Sequence, residues 1–190
     1  MTTRRSTRNG VTKRSSAGGQ RFTHLYLQNW RNFTKVDVDL QGRAFLVGPN
    51  AAGKSNLLDV FRFLRDVVAV GGGVQEAVRK RGGVSRLRSL AARRYPDVVI
   101  RVSVGRDGEA SGWKYELRLT QDNQRRPMVA REVVIRDGKA ILDRPDDQDK
   151  ADRERLTQTF LEQVNVNRDY RELVELFGSI RYLHVVPQLV

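Results

Sequence analysis

The sequence predicts a mixed α/β fold, and three patterns carry that reading. A short apolar run, Ala44-Phe-Leu-Val47, leads through a glycine-bounded loop into a stretch of helical periodicity. Farther on, two pairs of segments alternate apolar and polar residues on either side of Asp-Gly turns. Near the end, a helical pattern stopped by Gly178 is followed by another apolar run, Ile180–Val186.

Each element can be justified in order. Residues 1–21 combine Ser, Thr and Gly with six basic side chains and almost nothing to bury, so a disordered basic tail is expected there. Order should begin at Phe22. Phe22-Thr-His-Leu-Tyr-Leu27 alternates as a strand does, and Val36-Asp-Val-Asp-Leu40 alternates cleanly. The continuous run Ala44–Val47 suits a strand buried on both faces. Leu57, Phe61, Leu64 and Val68 then recur on one helical face, Asp59, Arg62 and Asp66 fall mostly elsewhere, and Gly71-Gly-Gly73 should end the helix.

Val98, Ile100, Val102 and Val104 alternate into a turn containing Asp107-Gly108, and Trp113, Tyr115, Leu117 and Leu119 alternate on the return. Val133-Val-Ile135 and Ala140-Ile-Leu142 flank Asp137-Gly138, a two-residue hairpin signal. The acidic stretch Asp143–Asp152 reads as a loop, Leu156, Phe160 and Val164 as a helix, and Tyr170–Phe177 as another. Ile180–Val186 reads as a final strand before Pro187.

The chain, at 190 residues, is long enough for one domain with a hydrophobic core. No apolar run approaches the roughly 18 residues of a membrane helix. The basic N-terminus lacks the apolar stretch of a secretory signal, so a cytoplasmic location is expected. The absence of cysteine excludes disulfides and thiolate metal sites, and His24 and His184 both sit in apolar stretches, as strand or core histidines do.

Gly48-Pro-Asn-Ala-Ala-Gly-Lys-Ser55 satisfies G-x-x-x-x-G-K-[ST] in full. In that pattern the glycines let backbone N–H groups turn inward around a phosphate chain, and the helix that follows aims its dipole and unpaired donors at the same anion. The pattern therefore points to ATP held by Gly48, Pro49, Asn50, Ala51, Ala52, Gly53, Lys54, Ser55 and Asn56. Lys54 reaches the β- and γ-phosphates and the Ser55 hydroxyl ligates Mg²⁺.

The segment Leu25-Tyr-Leu-Gln-Asn-Trp-Arg-Asn-Phe33, a short strand, and then Phe45-Leu-Val-Gly-Pro-Asn-Ala-Ala-Gly-Lys-Ser-Asn-Leu-Leu-Asp59 resemble the start of the RecF/SMC-like branch of ABC ATPases. The chain is most similar there to the prokaryotic predicted AAA-family ATPases, phage-defence ATPases among them. The resemblance is sharp over residues 24–66 and looser beyond. It implies the N-terminal lobe of a P-loop NTPase (ABC ATPase head-like) with an antiparallel β-subdomain. It also implies that Arg31 and Asn32 lie near the nucleotide, and that Gln188 takes the place of a glutamine that watches Mg²⁺. A signature motif resembling L-S-G-G, a Walker B strand ending in Asp-Glu and a late switch histidine are not found. No catalytic acid is evident, so the chain alone should hydrolyse ATP poorly or not at all. It stops at Val190, about where the remaining half would continue.

The formal net charge of +13 matches the basic residues of two acid-free stretches, residues 1–21 and 77–96. The second contains Arg79, Lys80, Arg81, Arg86, Arg88, Arg93 and Arg94. Such clustering suits a polyanionic partner, here DNA, contacted through its phosphates. The leading expectation is an ATPase lobe that acts on DNA as a homodimer closed by ATP, or with a complementing ATPase half. A transporter-type nucleotide-binding domain, a small P-loop kinase and a nucleic-acid-binding module with a degenerate nucleotide site are the alternatives.

Overall fold

Alternating apolar and polar side chains build six strands: β1 (Arg21–Trp30), β2 (Phe33–Asp39), β3 (Val98–Gly105), β4 (Gly112–Gln121), β5 (Pro127–Arg136) and β6 (Lys139–Arg144). They form one antiparallel sheet in the order β2-β1-β3-β4-β5-β6. The computed structural model describes residues 19–90, 97–106 and 112–183. Most of the expected basic tail, the Asp107-Gly108 turn, Arg93, Arg94, His184 and Gln188 lie outside the described residues. Among the described residues five α-helices flank the sheet: α1 (Lys54–Val68), α2 (Val74–Arg79), α3 (Val84–Leu87), α4 (Asp147–Ala151) and α5 (Arg171–Gly178). Among the described residues no helix is long and apolar enough to cross a membrane.

Strand register sorts the side chains into rows. Leu25, Val102, Tyr115 and Val134 face each other across four strands, and Leu27, Ile100 and Leu117 make the adjacent row. Helices α1 and α5 cover this face: Phe63 meets Trp30 edge-on at 5.5 Å, Phe61 meets Phe22 at 4.9 Å, and Phe177 meets Tyr115 at 5.7 Å. The opposite face is polar, with Arg101 and Arg118 both donating to Glu116. Asp137 and Gly138 both take positive φ, 50° and 81°, as the tight turn between β5 and β6 requires.

The row begun by Leu27 ends on charge. Glu132 pairs in register with Arg144, and both are fully buried. Arg144 donates to Glu132 at 3.2 Å, to both Asp149 oxygens at 2.8 Å, and to the carbonyls of Gln158 and Arg155 at 3.0 Å. Glu132 in turn accepts from the N–H groups of Phe160 at 2.7 Å and Leu161 at 3.2 Å.

These bonds explain two departures from expectation. The stretch marked by Leu156, Phe160 and Val164 is not a helix but a 3-10 turn, Arg153–Thr157, followed by irregular turns. Its backbone groups bond to the buried Glu132 and Arg144 in place of a helical ladder. The acidic stretch expected as a loop includes the end of β6 and helix α4. A reciprocal capping box starts α4, with Asp149 N–H on the Asp146 carboxylate at 2.8 Å and Asp146 N–H on Asp149 at 3.1 Å.

The two apolar runs expected as strands also behave differently. Ala44–Val47 is irregular, with Phe45 86% and Val47 93% exposed, and Ile180–Leu183 is irregular too. A run of this kind becomes a buried strand only when neighbouring backbone satisfies its polar groups. None of the described strands pairs with either run. The face of α1 is rotated as well: Val60, Phe63, Leu64 and Val67 are buried, and so is Asp66.

Beyond α1, the Glu162 carboxylate accepts from the Val74 N–H at 2.6 Å and the Thr159 N–H at 2.9 Å, clasping the glycine turn to the 159–163 turn. Gly73, at φ +98°, is required there because a Cβ would run into that carboxylate. Burial pushes the Glu162 carboxyl from 4.5 up to about 7, against those two donors. The folded chain thus keeps a proton that the unfolded chain releases, so the associated stability is complete below 4.5 and lost as pH rises through about 7. Chemical denaturation from about pH 5 to about pH 8 should show stability falling in the wild type and a flatter profile for Glu162→Gln. Identical profiles would contradict the assignment.

Candidate nucleotide-binding site

The loop Gly48–Gly53 owes its shape to two left-handed residues, Ala51 at φ 66° and Gly53 at φ 94°. Gly53 is the N-cap of α1 and offers no side-chain cap. The first intrahelical bond at this end runs from Leu57 N–H to the Gly53 carbonyl at 2.9 Å, which leaves Lys54, Ser55 and Asn56 N–H without acceptors inside the helix. The first turn has no acid. Lys54 Nζ donates to the carbonyls of Gly48 at 2.7 Å and Pro49 at 2.6 Å, and Ser55 is exposed. Backbone donors, a helix dipole and an ammonium thus share one loop, an arrangement suited to a polyphosphate.

The turn between β1 and β2 grips this helix end. Trp30, fully buried, donates Nε1–H to the Asn56 carbonyl at 2.7 Å, and Asn56 Nδ2–H donates to Asn32 Oδ1 at 2.9 Å. Asn32 and Phe33 press against Gly53 closely enough that a Cβ there would meet both. The structure brings Asn32 to the loop. It takes Arg31 elsewhere, onto Asp59 Oδ2 at 2.8 Å. Among the described residues no cluster of three or more His, Asp or Glu could hold a metal ion.

The profile of a family described as "AAA domain, putative AbiEii toxin, Type IV TA system" matches residues 43–165, more than half of the chain. The chain belongs to this AAA domain family. The loop and α1 fall inside the matched region, and the resemblance to RecF/SMC-like ATPases stands. Over 43 residues this AAA domain is 46% identical to the DNA replication and repair protein RecF of Roseiflexus castenholzii, a match covering 22% of the chain and 11% of that protein. Over 46 residues it is 39% identical to the endonuclease GajA of Bacillus cereus, covering 24% of the chain and 8% of GajA. A solved structure of the recombination mediator protein RecF with ATP aligns at 21% identity and a TM-score of 0.40, covering 64% of this chain and 28% of that one.

The basic segment of the AAA domain divides on inspection. Arg81 is not available to a polyanion. Its side chain is 5% exposed and bonds to Asp59 at 2.9 and 3.0 Å and to Asp66 at 2.9 Å. An arginine beside two carboxylates of one helix is drawn inward, because a buried charge is tolerated only when paired. Arg79 is exposed but forked onto Glu76, just outside the acid-free stretch, and Glu76 is held below its usual range by that bond. Lys80, Arg86 and the half-buried Arg88 remain at the surface. Helical periodicity placed Asp59 and Asp66 away from the core. Their seven-residue spacing, two turns on one face, was the available signal that they act together.

The left-handed φ and the crowding by Asn32 and Phe33 make Gly53 the least replaceable residue of the loop. Gly53→Ala should cost about 1–3 kcal/mol in urea denaturation. Gly42→Ala, where nothing lies within 4 Å, should change stability by less than about 0.5 kcal/mol. Equal effects would contradict the packing of the turn on the loop.

Proposed function

We propose that this chain is the nucleotide-binding lobe of a RecF-like ATPase, which binds ATP with Mg²⁺ at Gly48–Ser55 and acts on DNA in the cytoplasm. The observation that carries this reading is the uncapped, acid-free N-terminus of α1 beside Lys54. Backbone N–H groups from Gly48 to Ser55 cradle the phosphates, and Lys54 leaves its two loop carbonyls for the β- and γ-oxygens. Ser55 and, by resemblance, Gln188 hold Mg²⁺, which neutralises phosphate charge when bound. Asn32 and Asn56 border the same loop.

Acting on DNA calls for a second ATPase half or a second copy to complete the site. The exposed Phe45 and Val47 support this, as does an apolar groove of about 400 Å³ lined by Phe22, Leu25, Leu46, Leu57, Phe61 and Tyr182. Of the basic segment, Arg79, Lys80, Arg86 and Arg88, together with Arg93 and Arg94, are the residues proposed to meet DNA phosphates. In this lobe Asp59 is committed to Arg31 and Arg81.

Lys54→Ala should abolish binding of a fluorescent ATP analogue in a Mg²⁺ titration, and unchanged affinity would contradict the site. Duplex DNA binding should weaken with salt at a log–log slope of about −0.9 per phosphate contact. Replacing Arg79, Lys80, Arg86 and Arg88 by Ser should flatten that slope without altering nucleotide affinity. An unchanged slope would leave the basic segment as solvated surface.

A further inference from the structure

Asp59 holds two arginines that lead in opposite directions. Arg31 belongs to the β1–β2 turn, whose next residues pack on Gly53. Arg81 follows α2 and stands at the root of the basic segment. Arg31 donates Nε–H and Nη2–H to Asp59 Oδ2, at 3.2 and 2.8 Å. Arg81 donates Nε–H to the same oxygen at 2.9 Å and Nη2–H to Oδ1 at 3.0 Å. Its Nη1 donates to Asp66 at 2.9 Å and to the Ala77 carbonyl at 2.8 Å. One carboxylate oxygen therefore serves three N–H donors from two distant segments.

The backbone repeats the connection. Arg31 N–H donates to the Leu87 carbonyl, Ser89 N–H donates to the Asn29 carbonyl at 2.9 Å, and Trp30 bridges Arg88. Asn29 and Arg31 hold left-handed φ values of 56° and 51°, which fold the turn tightly enough to touch both neighbours. The phosphate loop lies on one side of this turn and residues 87–89 on the other.

We propose that Asp59 is a positioning residue that couples occupancy of the phosphate loop to the conformation of residues 79–89. The inference rests on the nucleotide-binding reading above. A polyphosphate against Gly53–Ser55 bears on Asn32 and Phe33, which pack on Gly53, and through them shifts the turn that carries Arg31. The side chain of Arg31 is 26% exposed and free to follow, whereas that of Arg81 is 5% exposed and stays. Withdrawal of Arg31 leaves Asp59 wholly to Arg81 and loosens the turn from Leu87 and Ser89. The ligand acts through its differential interaction with the two arrangements.

Hydrogen–deuterium exchange of the full chain, with and without Mg²⁺–ATP, tests this. Nucleotide should protect residues 48–56 and change exchange in residues 79–89 by about fivefold or more. In Asp59→Asn, protection of 48–56 should persist while the response at 79–89 disappears. Arg31→Gln, which leaves the buried Asp59–Arg81 pair intact, should lose the same distant response and serves if Asp59→Asn does not fold. Protection at 48–56 with no change at 79–89 in the wild type overturns the coupling alone. A distant response retained in either folded variant does the same. No protection at 48–56 overturns the nucleotide-binding reading and the coupling with it.

Discussion

The grip of the β1–β2 turn on the first turn of α1 is the constraint on which the rest of this structure depends. A phosphate-binding loop works only if its donors are already in place when the anion arrives, since reorganising backbone at binding consumes affinity. Here the loop is anchored on one side only. The Trp30 indole, the Asn32–Asn56 pair and the close contact of Asn32 and Phe33 with Gly53 fix where α1 begins. The segment that leads into the loop contributes no such support, because Ala44–Val47 is exposed and pairs with none of the described strands. The loop thus takes its position from the antiparallel sheet, through a turn that sequence places about twenty residues upstream.

The fold uses buried arginine twice, and in the same way. Arg144 closes the inward row of the sheet between Glu132 and Asp149 and organises the irregular backbone from Arg153 to Leu161. Arg81 closes the underside of α1 between Asp59 and Asp66 and ties α2 to that helix. Networks of this sort contribute little net stability over an apolar core, because desolvation offsets the attraction. What they impose is a single arrangement, since a displaced partner would leave a charge buried and alone. In Asp59 two opposing effects meet: burial favours the neutral acid, and the hydrogen bonds and charges of Arg81 and Arg31 outweigh it and hold the carboxyl below its usual range.

Elements governed by local chemistry were legible in the sequence. The glycine-bounded loop, the helix starting at Lys54, the Asp137-Gly138 hairpin and the stop at Gly178 each depend on residues a few positions apart. Elements governed by distant partners were not. Ala44–Val47 reads as a buried strand because its composition says so, but composition does not supply a neighbouring strand. Leu156, Phe160 and Val164 keep helical spacing while Glu132, far earlier in the chain, captures the backbone donors of Phe160 and Leu161. Arg81 looked like a surface cation because its neighbours in sequence are cations, whereas its neighbours in space are Asp59 and Asp66. Of the candidate site, the loop and Asn32 could be named from the motif and its resemblance, whereas the pairing of Asp59 with Arg31 and Arg81 needed the fold.

The central claim is that the loop and the first turn of α1 form a preorganised polyphosphate site. Amide ¹H–¹⁵N NMR of the isotopically labelled chain, titrated with Mg²⁺–ATP, measures it most directly. The account predicts saturable shifts concentrated at the Gly53, Lys54, Ser55 and Asn56 amides, the donors without intrahelical acceptors, with little change across β3–β6. Shifts absent from those amides, or spread over the basic surface without saturation, would contradict it.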